Sequence, residues 1–205
     1  MQAKTRKIAI EMRRILIILL LCCAIFPLAA QYHTRIIDPN IHTLRTRYLD
    51  DGGVLQRPIL VLENGMIDGS EPHNTLEISF DELSHDLRMY SYTIKHLDYN
   101  WTPSALSSYE YLRGYTTADI DDYALSLNTQ QVYTNYRFTF PNEGMQLLLS
   151  GNYVLLIYED GDPDNVVAQV CFSVVEPLVG LDAVVRGNTD KEFNGRYQQL
   201  DLDVN

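Results

Sequence analysis

His96 and Asp98 stand two residues apart, and in a strand that spacing puts an imidazole and a carboxylate on one face. There the acid could orient the ring for base catalysis or metal binding. No H-E-x-x-H, H-x-H or cysteine partner accompanies them, so a structural hydrogen bond near a strand end is the stronger reading. His73 and His85 fall in the same region without completing a ligand set. Asp160, Asp162 and Asp164 have the one-three-five spacing of a calcium loop, but Asn165 stands where that loop needs glycine and Cys171 where it needs glutamate. They read first as an acidic turn. Ser70 and Ser150-Gly151 lack the surround of a nucleophile elbow, and no glycine-rich phosphate loop is present. The sequence offers no catalytic, cofactor-binding or metal-binding set, and a non-catalytic protein is expected.

The remaining chemistry is aromatic. Asp98-Tyr99-Asn100-Trp101, with Tyr109, Tyr111 and Tyr115, gathers aromatic rings beside acidic and amide groups. One reading is core packing beneath a long loop, residues 98–120, that lies over a sandwich face and presents aromatics to a protein partner. The other is a carbohydrate-binding module built on Trp101 and the neighbouring tyrosines, because aromatic faces flanked by polar groups suit sugars.

The elements that must hold these residues are short. Apolar and polar residues alternate in runs broken by Gly, Pro, Asn and Asp, which predicts strands at 54–62, 75–80, 89–98, 122–127, 133–140, 152–158, 166–175 and 181–186. Asn64-Gly65, Pro141-Asn142-Glu143-Gly144 and Asp160-Gly161-Asp162-Pro163-Asp164-Asn165 supply the turns. Beyond the leader no long stretch keeps a helical period. The expected fold is all-β, an antiparallel sandwich of immunoglobulin or fibronectin-III type over residues 45–178, preceded by a polar arm at 31–44. Pro177 ends it, and residues 179–205, with a fresh strand pattern at 197–204, read as the start of a second domain cut short.

Lys4, Arg6, Lys7, Arg13 and Arg14 precede the apolar run 15–26, which leads into Pro27-Leu28-Ala29-Ala30, the layout of a secretory signal peptide cleaved near Ala30. The run is short for a membrane span, and the residues before Cys22 and Cys23 do not suit a lipobox. No transmembrane segment is expected after cleavage. Removing the leader leaves Cys171 as the one cysteine, inside an apolar run where packing outweighs reactivity. The chain has 16 basic and 27 acidic residues; the leader takes five and one of them, leaving 11 against 26, a net charge of −15. That balance argues against nucleic acid and anionic lipid as partners and permits a basic one.

Several motifs occur together. His96-Leu97-Asp98-Tyr99-Asn100-Trp101-Thr102-Pro103-Ser104-Ala105-Leu106 is followed by Glu110-Tyr111-Leu112-Arg113-Gly114-Tyr115 and by Asp122-Tyr123 with Ser126, Asn128 and Thr129. Then come Tyr133-Thr134, Tyr136, Phe138 and Phe140-Pro141-Asn142-Glu143, Leu149-Ser150-Gly151-Asn152-Tyr153 and Tyr158-Glu159-Asp160-Gly161-Asp162. From about 54 to 185 the chain resembles the N-terminal domain of type IX secretion plug proteins of Bacteroidota. The resemblance implies an envelope protein that meets a large outer-membrane translocon barrel from the periplasmic side and closes its opening when no substrate or shuttle protein occupies it. It carries over no catalytic residues. Family members generally continue through a second domain of comparable or larger size, whereas this sequence runs to Asn205.

Overall fold

The computed structural model describes residues 31–84, 87–187 and 197–205. The predicted leader, His85 and most of the turn expected after Gly187 lie outside the described residues. In chain order the first strands are β1 (Arg35–Ile36), β2 (Ile41–Tyr48), β3 (Ile59–Val61), β4 (Leu76–Glu82) and β5 (Tyr90–Leu97). One helical turn, α1 (Ser108–Tyr111), is followed by β6 (Leu112–Gly114), β7 (Thr117–Asp119), β8 (Asp122–Leu125), β9 (Thr134–Phe140) and β10 (Met145–Leu147). The series closes with β11 (Gly151–Glu159), β12 (Val166–Val175), β13 (Leu181–Arg186) and β14 (Gln199–Val204).

Alternation sets the layers. In β4, Leu76, Ile78 and Phe80 are buried while Glu77, Ser79 and Asp81 point away, and β9 answers with Tyr136 and Phe140 inward. Strands β2-β4-β9-β8 form one antiparallel sheet; β1-β12-β11-β5-β7 form the other, with β3 running parallel to the end of β12. Their inner faces share one core, in which Phe80, Tyr90, Tyr136, Tyr153 and Phe172 interlock. The all-β antiparallel sandwich expected from the sequence is what forms.

β11 and β12 are buried on both faces, which explains their near-continuous apolar runs. Their outer side chains Val154, Leu156 and Cys171 join Leu97 in a second cluster, covered by Tyr32, Trp101 and Val166. Cys171 is a free, buried thiol, and burial pushes its pKa up to about 12. A thiol reagent at pH 8 therefore leaves Cys171 unmodified in the folded chain and labels it once denaturant is added; fast labelling of the native protein would contradict this burial.

The region expected as a polar arm departs from expectation. Its residues build β1, which pairs with the middle of β12 at Arg35↔Gln169, and the start of β2, because Ile41 is buried. The Gln169 amide donates to the His33 carbonyl at 2.6 Å, and the Cys171 N–H donates to Thr34 Oγ1 at 2.9 Å. The segment is polar because it lies at a sheet edge, where one side of each strand meets water. The predicted strand at 54–62 shrinks to β3.

β13 and β14 pair only with each other among the described residues. Their register, Leu181↔Val204, Ala183↔Leu202 and Val185↔Leu200, gathers six apolar side chains on one exposed face, with Asp182↔Asp203 and Val184↔Asp201 on the other. No helix among the described residues is long and apolar enough to cross a membrane.

Candidate functional site

The segment expected as a loop at 98–120 begins with a clamped turn. The Asp98 N–H donates to the Thr102 carbonyl (2.8 Å), the Trp101 N–H to the Asp98 carbonyl (2.9 Å), and the Tyr32 N–H to the Trp101 carbonyl (2.9 Å). Trp101 sits at a left-handed φ of 64°. That conformation, rare for a bulky residue, is held by the packing of its ring on the outer cluster. Trp101 is thus mostly covered, and its indole is not the free platform a sugar site would need.

His96 does not pair with Asp98. The strand ends at Leu97, so the two-residue period that would align them stops before Asp98 enters the turn. His96 Nδ1 lies 2.9 Å from Ser104 Oγ and Nε2 lies 3.3 Å from the Ser150 carbonyl. Since a carbonyl only accepts, Nε2 is the donor toward Ser150, while the Ser104 hydroxyl can serve Nδ1 as donor or acceptor. The ring packs edge-on against Tyr153, 5.0 Å between centroids. It also lies over Gly151, where a Cβ would come within 2.3 Å of Nε2 and φ is +143°. Only glycine fits there.

The next part covers the edge of β5. The Ser104 N–H donates to the His96 carbonyl at 3.1 Å, the Tyr111 hydroxyl donates to the Ile94 carbonyl at 3.3 Å, and β7 pairs with Ser91–Thr93. An otherwise open edge is closed by this segment. α1 starts where the Ser107 N–H donates to Glu110 Oε2 at 2.7 Å. In a helical turn, residues two apart point to opposite sides. So Tyr111 is buried against His96 and Tyr153, while Tyr109 is 86% exposed. Burial raises the Tyr111 phenol pKa, and its backbone hydrogen bond offsets part of this. Tyr115, 72% exposed, follows Gly114, whose φ of +102° and contact with the Gly144 carbonyl leave no room for a Cβ. Of the four aromatics singled out in the sequence, Tyr109 and Tyr115 reach solvent, Trp101 is half-buried and Tyr111 belongs to the core. Tyr99, 91% exposed at the turn, joins the outward pair.

The acidic hairpin loop serves its own turn. Asp162 Oδ1 accepts from the Asp164 N–H at 3.0 Å, and Asp160 and Gly161 take left-handed φ values of 54° and 70°. No group of three or more His, Cys, Asp or Glu among the described residues could hold a metal ion.

The described residues thus build an antiparallel β-sandwich whose outward aromatics, Tyr99, Tyr109 and Tyr115, ride on an edge-closing segment. The family model for the first domain of type 9 secretion system plug proteins matches residues 56–176, and the chain belongs to that family. The resemblance read from the motifs between His96 and Asp162 is thereby borne out, and it assigns the chain to a secretion-system family with no known enzymatic activity.

A crystal structure of a hypothetical protein from Parabacteroides merdae is similar, with 35% identity, a TM-score of 0.70, and 86% of this chain covered. The match spans 42% of that protein's chain. A Pseudomonas fluorescens alkylpurine DNA glycosylase bound to abasic-site DNA aligns at 10% identity with a TM-score of 0.33, too low to bear on fold or function. No curated protein matches the chain.

Proposed function

We propose that the protein is a non-catalytic envelope component that associates, on the periplasmic side of the outer membrane, with the large translocon barrel of type IX secretion and plugs or gates it. Membership of the plug-protein family over residues 56–176 carries this reading. The segment 98–120 supplies the contact surface, with Tyr109 and Tyr115 as exposed anchors and Trp101 and Tyr111 holding it in place from beneath. A plug must release when a substrate arrives, so the interface is of moderate size and partly wet. The leader directs export, and the β13–β14 hairpin, with its open apolar face, begins a further domain.

The test is a pull-down of the tagged chain from solubilised outer membranes, with mass spectrometry of what is recovered. A very large barrel protein is expected with the wild type. Its recovery falls at least fivefold when Tyr109→Ala and Tyr115→Ala are combined, at unchanged thermal stability. Undiminished recovery with the double variant removes the segment from the interface, and absence of any barrel protein removes the plug reading.

A further inference from the structure

At the end of the sandwich opposite the Trp101 turn, three connections meet: 87–89 before β5, 120–121 before β8, and Asp160-Gly161 between β11 and β12. Backbone bonds tie them, the Ile120 N–H to the Tyr90 carbonyl at 2.8 Å and the Asp160 N–H to the Met89 carbonyl at 3.0 Å. They enclose a cleft of about 350 Å³. Its lining is largely apolar, from Leu87, Met89, Tyr123 and the floor residues Tyr90 and Tyr136. Leu87 and Met89 are 57% and 74% exposed, side by side at the mouth of the cleft.

The rim is acidic and uncompensated. Asp119 accepts from Ser91 Oγ at 2.7 Å, while the Asp121 and Asp160 carboxylates make no hydrogen bond or ion pair among the described residues. The one cation in the lining, Arg88, is already engaged: its Nη1 donates to Glu159 Oε1 at 2.5 Å, and its Nε lies 3.8 Å from Glu82 Oε1. Two buried carboxyl groups thus share one guanidinium. Glu82 Oε2 has no hydrogen-bond partner although the residue is fully buried. The rim thus leaves negative charge in excess around an apolar hollow, and the one cation beside it is engaged elsewhere.

We infer that this cleft is a second contact surface, which takes a basic peptide segment of a partner protein with one apolar side chain seated in the hollow and flanking Lys or Arg against Asp121 and Asp160. The volume suits one large side chain, and the rim supplies the charge complement. A second copy of the chain does not fit, because its net charge of −15 without the leader would bring like charges together. β5 runs eight residues from Tyr90 at the cleft to Leu97 at the Trp101 turn, roughly 23 Å. The Trp101 turn and the cleft therefore lie at opposite ends of β5. Although Asp119 and Ile120 carry segment 98–120 to the cleft, the plug-contact anchors Tyr109 and Tyr115 are not in its lining, so the proposed plug contact can stand or fall without this one.

The test is a titration of the ¹⁵N-labelled chain with the amidated pentapeptide Lys-Leu-Lys-Trp-Lys, followed by amide shifts. Shifts are expected at Met89, Tyr90, Asp121, Tyr123 and Gly161, with an affinity that falls as salt is raised. Asp121→Asn combined with Asp160→Asn weakens binding at least tenfold, and so does Met89→Ser alone. The acidic counterpart Glu-Leu-Glu-Trp-Glu gives no shifts. Shifts confined to another surface, or an equal loss from Asp182→Asn with Asp203→Asn in the distant hairpin, would reduce the effect to bulk acidity and overturn the proposal. Unchanged affinity in the cleft variants would overturn it as well.

Discussion

Phe80→Ala lowers the stability of the sandwich by about 3–5 kcal/mol, the range for deleting a fully buried phenylalanine whose surroundings cannot collapse into the space. The site is rigid because three rings brace one another. Phe80 stacks on Tyr136 at 5.3 Å and meets Tyr90 edge-on at 5.2 Å, while Tyr90 and Tyr136 form a second edge contact at 4.9 Å. Each pair contributes roughly 0.5–1.5 kcal/mol beyond burial, and removing the centre ring forfeits two of them. Denaturant unfolding should show the midpoint falling with an unchanged m-value, and the melting temperature dropping by about 10 °C for a domain of this size. Tyr109→Ala, at a side chain 86% exposed, should stay within about 0.5 kcal/mol. A loss below about 1 kcal/mol for Phe80→Ala would mean that the sheets are not packed through this ring.

Arg88→Ala is expected to cost about 2–4 kcal/mol through electrostatics instead of volume. Glu82 is 0% exposed and Glu159 8%, and the guanidinium between them is their cation. The hydrogen bond to Glu159 in turn raises the Arg88 pKa. Truncation leaves carboxylates in the interior without a counter-charge, a larger penalty than the pair was worth. The lower end of the usual range applies because the Arg88 side chain is 31% exposed. Arg88→Lys should restore only part, since an ammonium cannot reach Ser84, Glu82 and Glu159 with a planar fork. Glu159→Gln added to Arg88→Ala should make the double variant more stable than the single one. Additive losses in that double-mutant cycle would show that the groups are not coupled.

What was legible in the sequence follows from which residues had to declare themselves. β12 was readable end to end, because ten residues between the Asp160–Asn165 turn and Pro177 are apolar or β-branched almost throughout. β4, β5, β9 and β11 were placed within a residue or two for the same reason. β1, β6, β7 and β10 were not, since strands of two or three residues exist only through their partners and leave no period to detect. At the candidate site the aromatic cluster was visible, but not its sorting. Tyr109 and Tyr111 look equivalent until α1 turns one outward and the other onto Tyr153. The cleft below Tyr90 left no motif, because its parts come from connections some 30 to 70 residues apart.

The pairing of β1 with β12 bears on the order in which the protein can be made. Arg35 and Ile36 leave the ribosome, and cross any export channel, long before Gln169 and Ala168 exist to receive them. β3 waits for the same strand, as does half the hydrogen bonding of β11. Until residue 175 has emerged, neither the second sheet nor the outer cluster under Trp101 can close. A chain with so much of its pairing deferred to its last long strand can build the β2-β4-β9-β8 sheet earlier, but it completes the sandwich only once that strand has emerged.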